Sequence, residues 1–433
     1  MALVTFYLAY KVEYEPAIRA TAQDVAFIMF SSGTTADPKG IPISHANVIA
    51  ATAAQSAVIP NVSLDDVYIG YLPLAHILEF DAEFCCLANG VRIGYSSPLT
   101  LTDNASKIKR GARGDCAVLN PTLIATVPTV MDRIYKAVIG KLQNSSHLRQ
   151  AIFEFVYELK RSRLESGYST PFLNRLIFSH ISNILGNRVR LILSGGAPLN
   201  PETQRFINIC FCCPVGQGYG LTETCGAGTI CHSDDLTTGR VGSPLACNDI
   251  MLRNWNEGGY MIQNKPHPQG EILISGANVI KGYLANSGSA ADFIEIDGRT
   301  WFCSGDIGEF YSDGCLKIID RRKDLIKLQH GEYVSVARVE TVLLTCPLID
   351  YVCVYGNSLY SYLVAIVVPN QKNLTEFAKE VSNKLLKYEV PQKFYLCKEK
   401  WTAEMGLLTD ALKLKRKAIE NFYKDVLESL YAL

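Results

Sequence analysis

The 433-residue chain lacks any imbalance of charge, because Lys plus Arg and Asp plus Glu each number 42. The charges are also dispersed, without the basic patch that nucleic-acid-binding proteins usually carry. A nucleic-acid partner is therefore not expected. The length is enough for two or three domains and a large hydrophobic core.

The sequence has no long apolar run. No segment reaches the roughly 20 apolar residues that a membrane-spanning helix requires. The apolar opening MALVTFYLAY is much shorter than such a span, and it lacks the basic start and small-residue cleavage site of a signal peptide. Peripheral contact with a membrane surface stays open at this point.

A disulfide framework is also missing, although the chain contains 14 cysteines. They occur in clusters such as CFCC at 210–213, without the spacing that is typical of disulfide-rich proteins. In a chain of this size, we expect them to be small buried apolar side chains in a reducing compartment.

Strand-like and helix-like segments alternate over the first three hundred residues. The run VAFIMF at 25–30 is typical of a buried strand, and Ser44 stands where it can cap the helix that follows. Apolar residues recur at helical spacing over 147–167, which indicates an amphipathic helix packed on a sheet rather than on a membrane. This alternation predicts an α/β domain whose ligands bind beyond the strand ends.

The composition changes after about residue 235. The segments GEILISG, TWFCSGDIGEFY and GCLKIIDRR are short, strand-like and bounded by turn residues, which predicts a β-rich subdomain. The charged segment DRRKDLIK at 320–327 then separates a final piece of mixed structure. The basic end of that piece, ALKLKRKAIENFYKDVLESLYAL, is expected to form a packed terminal helix.

The most distinctive short stretch is SSGTTADPKG at 31–40. It is not the phosphate loop of a P-loop NTPase, because Pro38 occupies the position of the second required glycine and Gly40 that of the hydroxyl. The stretch can still wrap a phosphate chain, since glycine lets the backbone approach and Lys39 supplies positive charge. Its candidate phosphate-binding residues also include Ser31, Ser32, Gly33, Thr34 and Thr35. An ordinary Gly/Ser turn is the alternative.

Four further segments follow this stretch in order. They are GQGYGLTET at 216–224, WFCSGDIGEF at 301–310, DRRKDLIK at 320–327 and TDALKLKRK at 409–417. Together the five segments resemble the core motifs of the adenylate-forming (AMP-binding) superfamily. The segments YIGYLPLAHILEFDAE, LILSGGAPLNPETQRF and CFCCPVGQGYGLTE are similar to those of long-chain fatty acyl-CoA synthetases, and most like the animal subgroup that prefers arachidonate.

This resemblance implies the adenylate-forming enzyme fold. A large N-terminal α/β domain with a β-rich subdomain would cover residues 1–320, and a small mobile α+β domain would cover 321–433. The hinge would lie at 320–324, with Lys323 at the pivot. The small domain would close over the nucleotide for one half of the reaction and rotate for the other.

The resemblance also implies an activity, that of a long-chain fatty acid–CoA ligase. ATP and a fatty acid would give acyl-AMP and pyrophosphate, and coenzyme A would then give acyl-CoA and AMP. Mg²⁺ would assist the first step. The expected setting is the cytosolic face of the endoplasmic reticulum, or of mitochondria, peroxisomes or lipid droplets, with a homo-oligomer as an open alternative.

The resemblance assigns the nucleotide site residue by residue. The stretch 31–40 would grip the pyrophosphate portion of ATP, and Tyr219 would be a platform for adenine. Asp306 would accept hydrogen bonds from the ribose hydroxyls, and Arg321 would contact ribose or phosphate. The other residues expected to line the nucleotide are Gly195, Gly196, Ala197 and Gly220. A surface ion pair is the alternative for Asp306 and Arg321.

The catalytic residues are assigned in the same way. Thr222 would donate to the α-phosphate, and Glu223 would bind Mg²⁺, because a hard cation prefers carboxylate and phosphate oxygens. His76 would lie beside the reacting carboxylate, with a buried structural histidine as the alternative. Lys413 would neutralise the forming adenylate. Its neighbours Lys415 and Lys417 on the same basic run are rival candidates for that role.

The sequence departs from the family pattern at three places, one of which is a C-terminal domain expected to be shorter than in relatives between NLTEFAKE and YEVPQKF. Ala36 stands where the family has glycine, which would weaken ATP binding if the position requires a left-handed backbone. Relatives carry a longer region before the phosphate-binding stretch, including a membrane anchor, so we expect an N-terminally truncated chain. A catalytically weak isoform that binds nucleotide or a partner is therefore the alternative function, and luciferase-like oxygenation is a weaker one.

Overall fold

The computed structural model describes residues 19–31, 38–103, 105–109, 111–284, 289–346, 348–370, 391–409 and 413–432. The strands of the N-terminal part are β1 (Val25–Ser31), β2 (Lys39–Ser44), β3 (Val67–Gly70), β4 (Arg92–Tyr95), β5 (Leu123–Thr126), β6 (Leu191–Ser194), β7 (Val215–Tyr219), β8 (Thr229–Ile230) and β9 (Ser243–Pro244). The later strands are β10 (Asn248–Arg253), β11 (Gln269–Gly276), β12 (Phe293–Ile296), β13 (Arg299–Phe310), β14 (Leu316–Arg321), β15 (Leu325–Lys327), β16 (Tyr333–Ser335), β17 (Ile349–Tyr355), β18 (Val364–Pro369) and β19 (Lys393–Leu396).

The helices are distributed among these strands as an α/β pattern requires. They are α1 (His45–Val58), α2 (Ile77–Ala88), α3 (Asp115–Leu119), α4 (Pro128–Gln143), α5 (His147–Glu165), α6 (Pro171–Leu173), α7 (Ser179–Ser182), α8 (Pro201–Cys210), α9 (Val336–Leu343), α10 (Arg416–Phe422) and α11 (Lys424–Ala432). A short π-helical segment, Asn174–Phe178, connects α6 to α7.

A seven-stranded sheet in the order β4-β3-β5-β6-β7-β8-β9 forms the centre of the N-terminal part. The strands from β4 to β7 pair in parallel, whereas β8 and β9 are added antiparallel. Every residue of β3 and β5 is buried, as expected for parallel strands that are covered on both faces. Parallel pairing brings the carboxyl ends of β3, β5, β6 and β7 to one edge, where α/β folds bind their ligands.

Helix α1 begins where the sequence predicts. Ser44 is its N-cap: the Ser44 Oγ accepts a hydrogen bond from the backbone N–H of Asn47 at 3.2 Å, and the Asn47 Oδ1 accepts one from the backbone N–H of Ser44 at 3.0 Å. This reciprocal arrangement is a capping box. The predicted start of the helix is therefore confirmed.

Helix α5 is also present, but its apolar residues do not all face the core. Val156 is buried and Phe153 packs against the main hydrophobic cluster, whereas Ile152 and Leu159 are 47% and 38% exposed. The predicted helix is confirmed, and the predicted packing holds for only part of its apolar stripe.

The predicted β-rich subdomain is the antiparallel sheet β10-β11-β13-β12, to which β14 is added beside β13. In this last pair, Asp306 is directly opposite Arg321. Strands β1 and β2 form a separate antiparallel pair that places Ser31 opposite Lys39. The two ends of the predicted phosphate-binding stretch therefore lie side by side, and residues 32–37 between them lie outside the described residues.

The C-terminal part has its own core, built by the β15–β16 pair, the sheet β17-β18-β19 and helix α9. Its basic end departs from the prediction, because helix α10 begins only at Arg416. Before that point, Leu408 and Leu414 pair as an antiparallel bridge, and the backbone N–H of Thr409 donates to the carbonyl of Lys413 at 2.8 Å. These bonds hold the chain at Lys413 extended, so the predicted single helix was wrong here.

The cysteines and the helix lengths can be compared with the expectations from composition. All 14 cysteines are free thiols, and Cys210 and Cys213 of the CFCC cluster are buried. Within the described ranges, the protein contains no helix with the length and apolar character to cross a bilayer.

Candidate active site

The predicted nucleotide-binding residues meet at the carboxyl edge of the central sheet. Gly195, Gly196 and Ala197 follow β6 directly, and Tyr219 is the last residue of β7, the parallel neighbour of β6. His76 lies in the connection after β3, as the N-cap of helix α2. Parallel topology thus brings together segments that are far apart in sequence.

Tyr219, Asp306 and Arg321 form one hydrogen-bonded group. The Tyr219 hydroxyl donates to Asp306 Oδ2 at 2.8 Å, and Arg321 Nε donates to Asp306 Oδ1 at 2.8 Å. Asp306 is only 2% exposed, whereas the Arg321 side chain is 59% exposed. Burial raises the pKa of Asp306, and Arg321 opposes that rise. The group anchors a carboxylate whose remaining lone pairs can accept from two hydroxyls.

Gly220 is required by the packing of the chain, whether or not it also lines the nucleotide as predicted. A Cβ at Gly220 would lie 2.1 Å from the carbonyl oxygen of Gly226, a distance that no side chain tolerates. A Cβ at Gly218 would meet Ile230 and Thr229 at 3.4 Å, which is an ordinary contact. Gly220 is therefore required for the packing of the chain itself, beside Tyr219.

Glu223 belongs to a second polar group, which connects it with Lys39 of strand β2. The Tyr283 hydroxyl lies 3.1 Å from Glu223 Oε1 and 3.0 Å from Asp292 Oδ2. Lys39 Nζ donates to the same Asp292 oxygen at 3.0 Å and lies 4.5 Å from the centre of the Tyr283 ring. Burial raises the pKa of Glu223, while the Tyr283 hydrogen bond and Lys39 lower it.

Motif reasoning missed Tyr283 and Asp292. Neither residue belongs to a segment that the sequence singled out, and only the tertiary fold brings them to Glu223 and Lys39. In this arrangement, two carboxylate oxygens surround one hydroxyl beside a lysine. Such a set of hard oxygen donors suits a Mg²⁺ ion that also binds phosphate.

The structure describes only some of the remaining predicted residues. Thr222 begins the short turn Thr222–Thr224 after β7, next to Glu223. Ser31 ends β1, and Lys323 lies between β14 and β15 in the predicted hinge. The predicted phosphate contacts Ser32, Gly33, Thr34 and Thr35, together with Ala36, lie outside the described residues.

Lys413 reaches from the C-terminal part to the edge of the central sheet. Its Nζ donates to the carbonyl oxygen of Gly196 at 2.8 Å and lies 3.4 Å from Nε2 of His76. Gly196 has φ of +80°, and a Cβ there would lie 2.7 Å from Lys413 Nζ. The glycine therefore provides both the left-handed backbone and the space that the lysine needs.

Lys415 and Lys417 are placed differently. Lys415 precedes α10 and Lys417 lies in its first turn, and both side chains are exposed. Of the three lysines, Lys413 is the one whose ammonium contacts the sheet edge. Burial, followed by repulsion from Arg321, lowers the pKa of Lys413 to about 8.

His76 is held in one protonation form. Its Nδ1 accepts a hydrogen bond from the backbone N–H of Leu78 at 3.2 Å, so the ring proton of the neutral imidazole is on Nε2. Burial, followed by the charge of Lys413, lowers the pKa of His76 to about 4. The Nε2–H of a neutral ring is thus directed to the side where Lys413 lies, and it can donate to an oxygen there.

A cavity of about 980 Å³, including its open mouth, begins at this point. His76, Gly195 and Gly196 line one end, and the cavity continues between α2 and the sheet. The deeper walls are mostly apolar and include Ile59, Val62, Tyr68, Ala82, Leu123, Leu191 and Leu193. The geometry suits a molecule with a polar head at His76 and a long apolar tail.

Models of known protein families match most of the chain. The model of the AMP-binding enzyme family matches residues 6–284, and that of the AMP-binding enzyme C-terminal domain matches residues 338–402. The chain is 41% identical to long chain acyl-CoA synthetase 8 of Arabidopsis thaliana over 94% of its length, and 34% identical to fatty acyl-CoA synthetase A of Dictyostelium discoideum over 95%. It spans 62% and 64% of the lengths of these two relatives.

Solved structures agree on the fold. The adenylation domain of a carboxylic acid reductase from Segniliparus rugosus, in complex with AMP and a co-purified carboxylic acid, superposes with a TM-score of 0.76 at 25% identity. The superposition covers 98% of this chain and 64% of the reductase domain. The predicted fold, a large N-terminal α/β domain followed by a small C-terminal domain, is thereby confirmed. The boundary at 320/321 stays a prediction.

Proposed function

Since this chain belongs to the AMP-binding enzyme family, we propose that it is an ATP-dependent long-chain fatty acid–CoA ligase. One observation carries the proposal: Lys413, from the C-terminal part, contacts Gly196 and His76 at the mouth of a deep, mostly apolar cavity. A fatty acid in that cavity would present its carboxylate to these residues, next to the predicted nucleotide site.

In the first half of the reaction, the fatty carboxylate attacks the α-phosphorus of ATP and expels pyrophosphate. Two anions must approach each other, so the site has to neutralise charge and align the reactants. The Lys413 ammonium would lie between carboxylate and α-phosphate, and the His76 Nε2–H would orient the carboxylate. Alignment of two reactants in one site can supply roughly 7–11 kcal/mol of the barrier in favourable cases, and preorganised donors add to it.

The nucleotide would be held by the Tyr219–Asp306–Arg321 group. Asp306 would accept from the ribose hydroxyls, Arg321 would direct its exposed guanidinium to ribose or phosphate, and the Tyr219 ring would support adenine. The short bonds within the group keep Asp306 in place before nucleotide binds. Preorganisation of this kind lowers the entropic cost of binding.

Glu223, with Asp292 beside it, would hold Mg²⁺, because these carboxylates converge on the Tyr283 hydroxyl next to Lys39. A bound Mg²⁺ would neutralise charge on the phosphates. Thr222 would donate to the α-phosphate, and Lys39, with Ser31 opposite it on strand β1, would face the pyrophosphate.

In the second half of the reaction, coenzyme A thiolate attacks the acyl carbon and releases AMP. We propose that the C-terminal part turns about 320–324, with Lys323 at the pivot, so that Lys413 leaves and the thiol enters. The contacts of Lys413 described above would then belong to the adenylating arrangement.

The finer points of the proposal rest on the resemblance. The first is a preference for polyunsaturated acids such as arachidonate. The others are localisation to the cytosolic face of the endoplasmic reticulum or another organelle, peripheral contact with its membrane, and assembly into a homo-oligomer. The first two relatives named above come from a plant and a slime mould. A panel of fatty acids of varied length and unsaturation would measure the preference directly.

Product analysis tests the proposal. Purified protein with ATP, Mg²⁺ and oleate or arachidonate should form acyl-AMP and pyrophosphate, and addition of coenzyme A should convert acyl-AMP into acyl-CoA, both detected by mass spectrometry. Nucleotide binding without either product would instead support the alternative, a chain that binds nucleotide or a partner without catalysis.

A further inference from the structure

The mostly apolar cavity contains one group of polar side chains away from its mouth. We define the Asp81 cluster as Gln55 of α1, Asp81 and Cys85 of α2, and Cys225, which are joined by hydrogen bonds. Gln55, Asp81 and Cys85 line the cavity. Asp81 is 3% exposed and Gln55 is 8% exposed. A carboxyl group is an unusual lining for a site that receives a hydrocarbon chain.

The hydrogen bonds within the Asp81 cluster are long. Gln55 Nε2 donates to Asp81 Oδ2 at 3.3 Å, and Cys225 Sγ lies 3.8 Å from Asp81 Oδ1. An N–H to oxygen bond is normally about 2.7–3.2 Å, and a thiol is a weak donor. The carboxyl group of Asp81 therefore keeps capacity for a stronger partner. Burial raises the pKa of Asp81 well above its usual range.

The chain packs closely against one side of Asp81. Gly226 has φ of +66°, and a Cβ there would lie 1.8 Å from Asp81 Oδ2. No side chain would fit at Gly226. A partner for Asp81 would have to come from the cavity itself, which both Asp81 and Gly226 line.

The position of Asp81 along α2 indicates which part of a ligand it would meet. His76 caps the helix at the cavity mouth, and Asp81 is five residues further on. At a rise of 1.5 Å per residue this separation is roughly 7.5 Å along the helix axis. A fatty acid with its carboxylate at His76 would thus pass Asp81 with the middle of its chain.

We propose that the Asp81 cluster is a subsite for a hydroxyl group in the middle of the acyl chain, so that the preferred substrates include mid-chain hydroxylated long-chain fatty acids. This inference rests on the proposed ligase function and specifies its substrate class. A hydroxyl group can donate to the oxygens of the Asp81 carboxyl group, whereas the surrounding apolar walls disfavour a charged substituent. A site that hydrogen-bonds a substrate hydroxyl discriminates against the analogue without it.

The test compares acyl-AMP formation from hexadecanoic acid with that from its monohydroxy derivatives, which are positional isomers of one another. The wild-type protein should have a higher kcat/KM for a mid-chain isomer than for hexadecanoic acid or for the isomer hydroxylated at the terminal carbon. In Asp81→Leu, the ratio of mid-chain isomer to hexadecanoic acid should fall by at least about tenfold. Asp81→Asn should keep most of the preference, because an amide oxygen also accepts a hydrogen bond.

Asp115→Asn is the matched control, since Asp115 accepts from Ser96 and Thr100 outside the cavity. Its ratio should equal that of the wild type. Activation of hexadecanoic acid without a mid-chain preference in the wild type, or an equal ratio in wild type and Asp81→Leu, would overturn the subsite but not the ligase. Failure to activate any fatty acid would overturn the ligase and the subsite together. The wild-type isomer series decides the matter even if Asp81→Leu does not fold.

Discussion

Lys413 is the residue whose position matters most in this account. Three lysines, Lys413, Lys415 and Lys417, lie on one short basic run, and the sequence alone does not separate them. The fold does, because the Leu408–Leu414 bridge turns Lys413 towards Gly196 and His76. Of the three lysines, Lys413 is therefore the one in position for the proposed role, the stabilisation of charge that develops during adenylation.

Replacement of this side chain should abolish most of the first half-reaction. We expect Lys413→Ala to lower the rate of acyl-AMP formation by about 10²–10³-fold, the usual loss for one preorganised donor to developing charge. Lys415→Ala is the matched control and should stay within a few-fold of the wild type. Single-turnover acyl-AMP formation measures both, and equal losses in the two variants would remove the assignment.

The charge of Lys413 should also appear in the pH profile. Its pKa is lowered to about 8, chiefly by burial and then by Arg321, so the ammonium is present below that pH and lost above it. We therefore expect kcat/KM for adenylation to fall as the pH rises through about 8. His76 should add no inflection between pH 5 and 8, because burial and Lys413 lower its pKa to about 4. A Lys413→Arg variant that retains activity should lose the alkaline fall, and its persistence there would exclude Lys413 as the cause.

Replacement of Gly196 should impair adenylation for a reason other than backbone strain. Gly196→Ala and Gly314→Ala both force alanine to φ near +80°, at a cost of about 1–2 kcal/mol in unfolding free energy. A Cβ at Gly314 meets nothing within 4 Å, whereas one at Gly196 meets Lys413 Nζ. Both variants should lose similar thermal stability, and only Gly196→Ala should lose adenylation. Equal activities would show that the lysine does not need that space.

Single residues could be predicted from the sequence where they belong to a recognisable motif. Tyr219, Asp306 and Arg321 were predicted as one nucleotide group, and they are in direct contact. Asp292 and Asp81 were not predicted, because their importance arises only when the fold places them beside Glu223 or in the cavity. Their chemical roles, like those of all the site residues, stay predictions until tested.

At the scale of elements, the docking of the C-terminal part depends on helix α4. Lys136 of α4 donates from Nζ to the carbonyl oxygen of Ile349 in β17 at 2.7 Å, and Arg133 contacts Tyr351 of the same strand. These contacts join the two parts of the chain while Lys413 is at the sheet edge. They would therefore favour the adenylating arrangement over the one that forms the thioester.

Loss of the hydrogen bond between Lys136 and Ile349 should affect the two half-reactions unequally. A hydrogen bond from a charged donor contributes about 1.5–3 kcal/mol, so Lys136→Met should slow acyl-AMP formation by roughly tenfold or more. Conversion of supplied acyl-AMP into acyl-CoA should change little. Lys141→Met, an exposed position on the same helix, should affect neither step. Equal slowing of both steps by Lys136→Met would indicate general structural damage.

Element boundaries were predictable where local bonds set them. Ser44 begins α1 through a capping box that its own sequence supplies. The start of α10 was not predictable, because residues with good helix propensity around Lys413 are held extended by pairing with residues near Leu408. Tertiary pairing outweighs helix propensity at such a site.

At the scale of the whole molecule, the alternation of strands and helices predicted an α/β domain, and the parallel topology of its sheet explains how the predicted site residues meet. Parallel strands place SGGA, YGLTE and LPLAH at one edge without any local signal that they meet. The approach of Lys413 from the other part of the chain could not be read from composition or periodicity. It depends on the packing of two separate cores, which sequence patterns describe only one at a time.

The measurement that tests the central claim most directly is the exchange of labelled pyrophosphate into ATP by the purified chain. Exchange requires that the carboxylate reacts reversibly at the α-phosphorus, which is the step that the Lys413, His76 and nucleotide groups are proposed to perform. We predict exchange that depends on a long-chain fatty acid and is lost in Lys413→Ala. A chain that binds ATP but shows no exchange with any fatty acid would contradict the account.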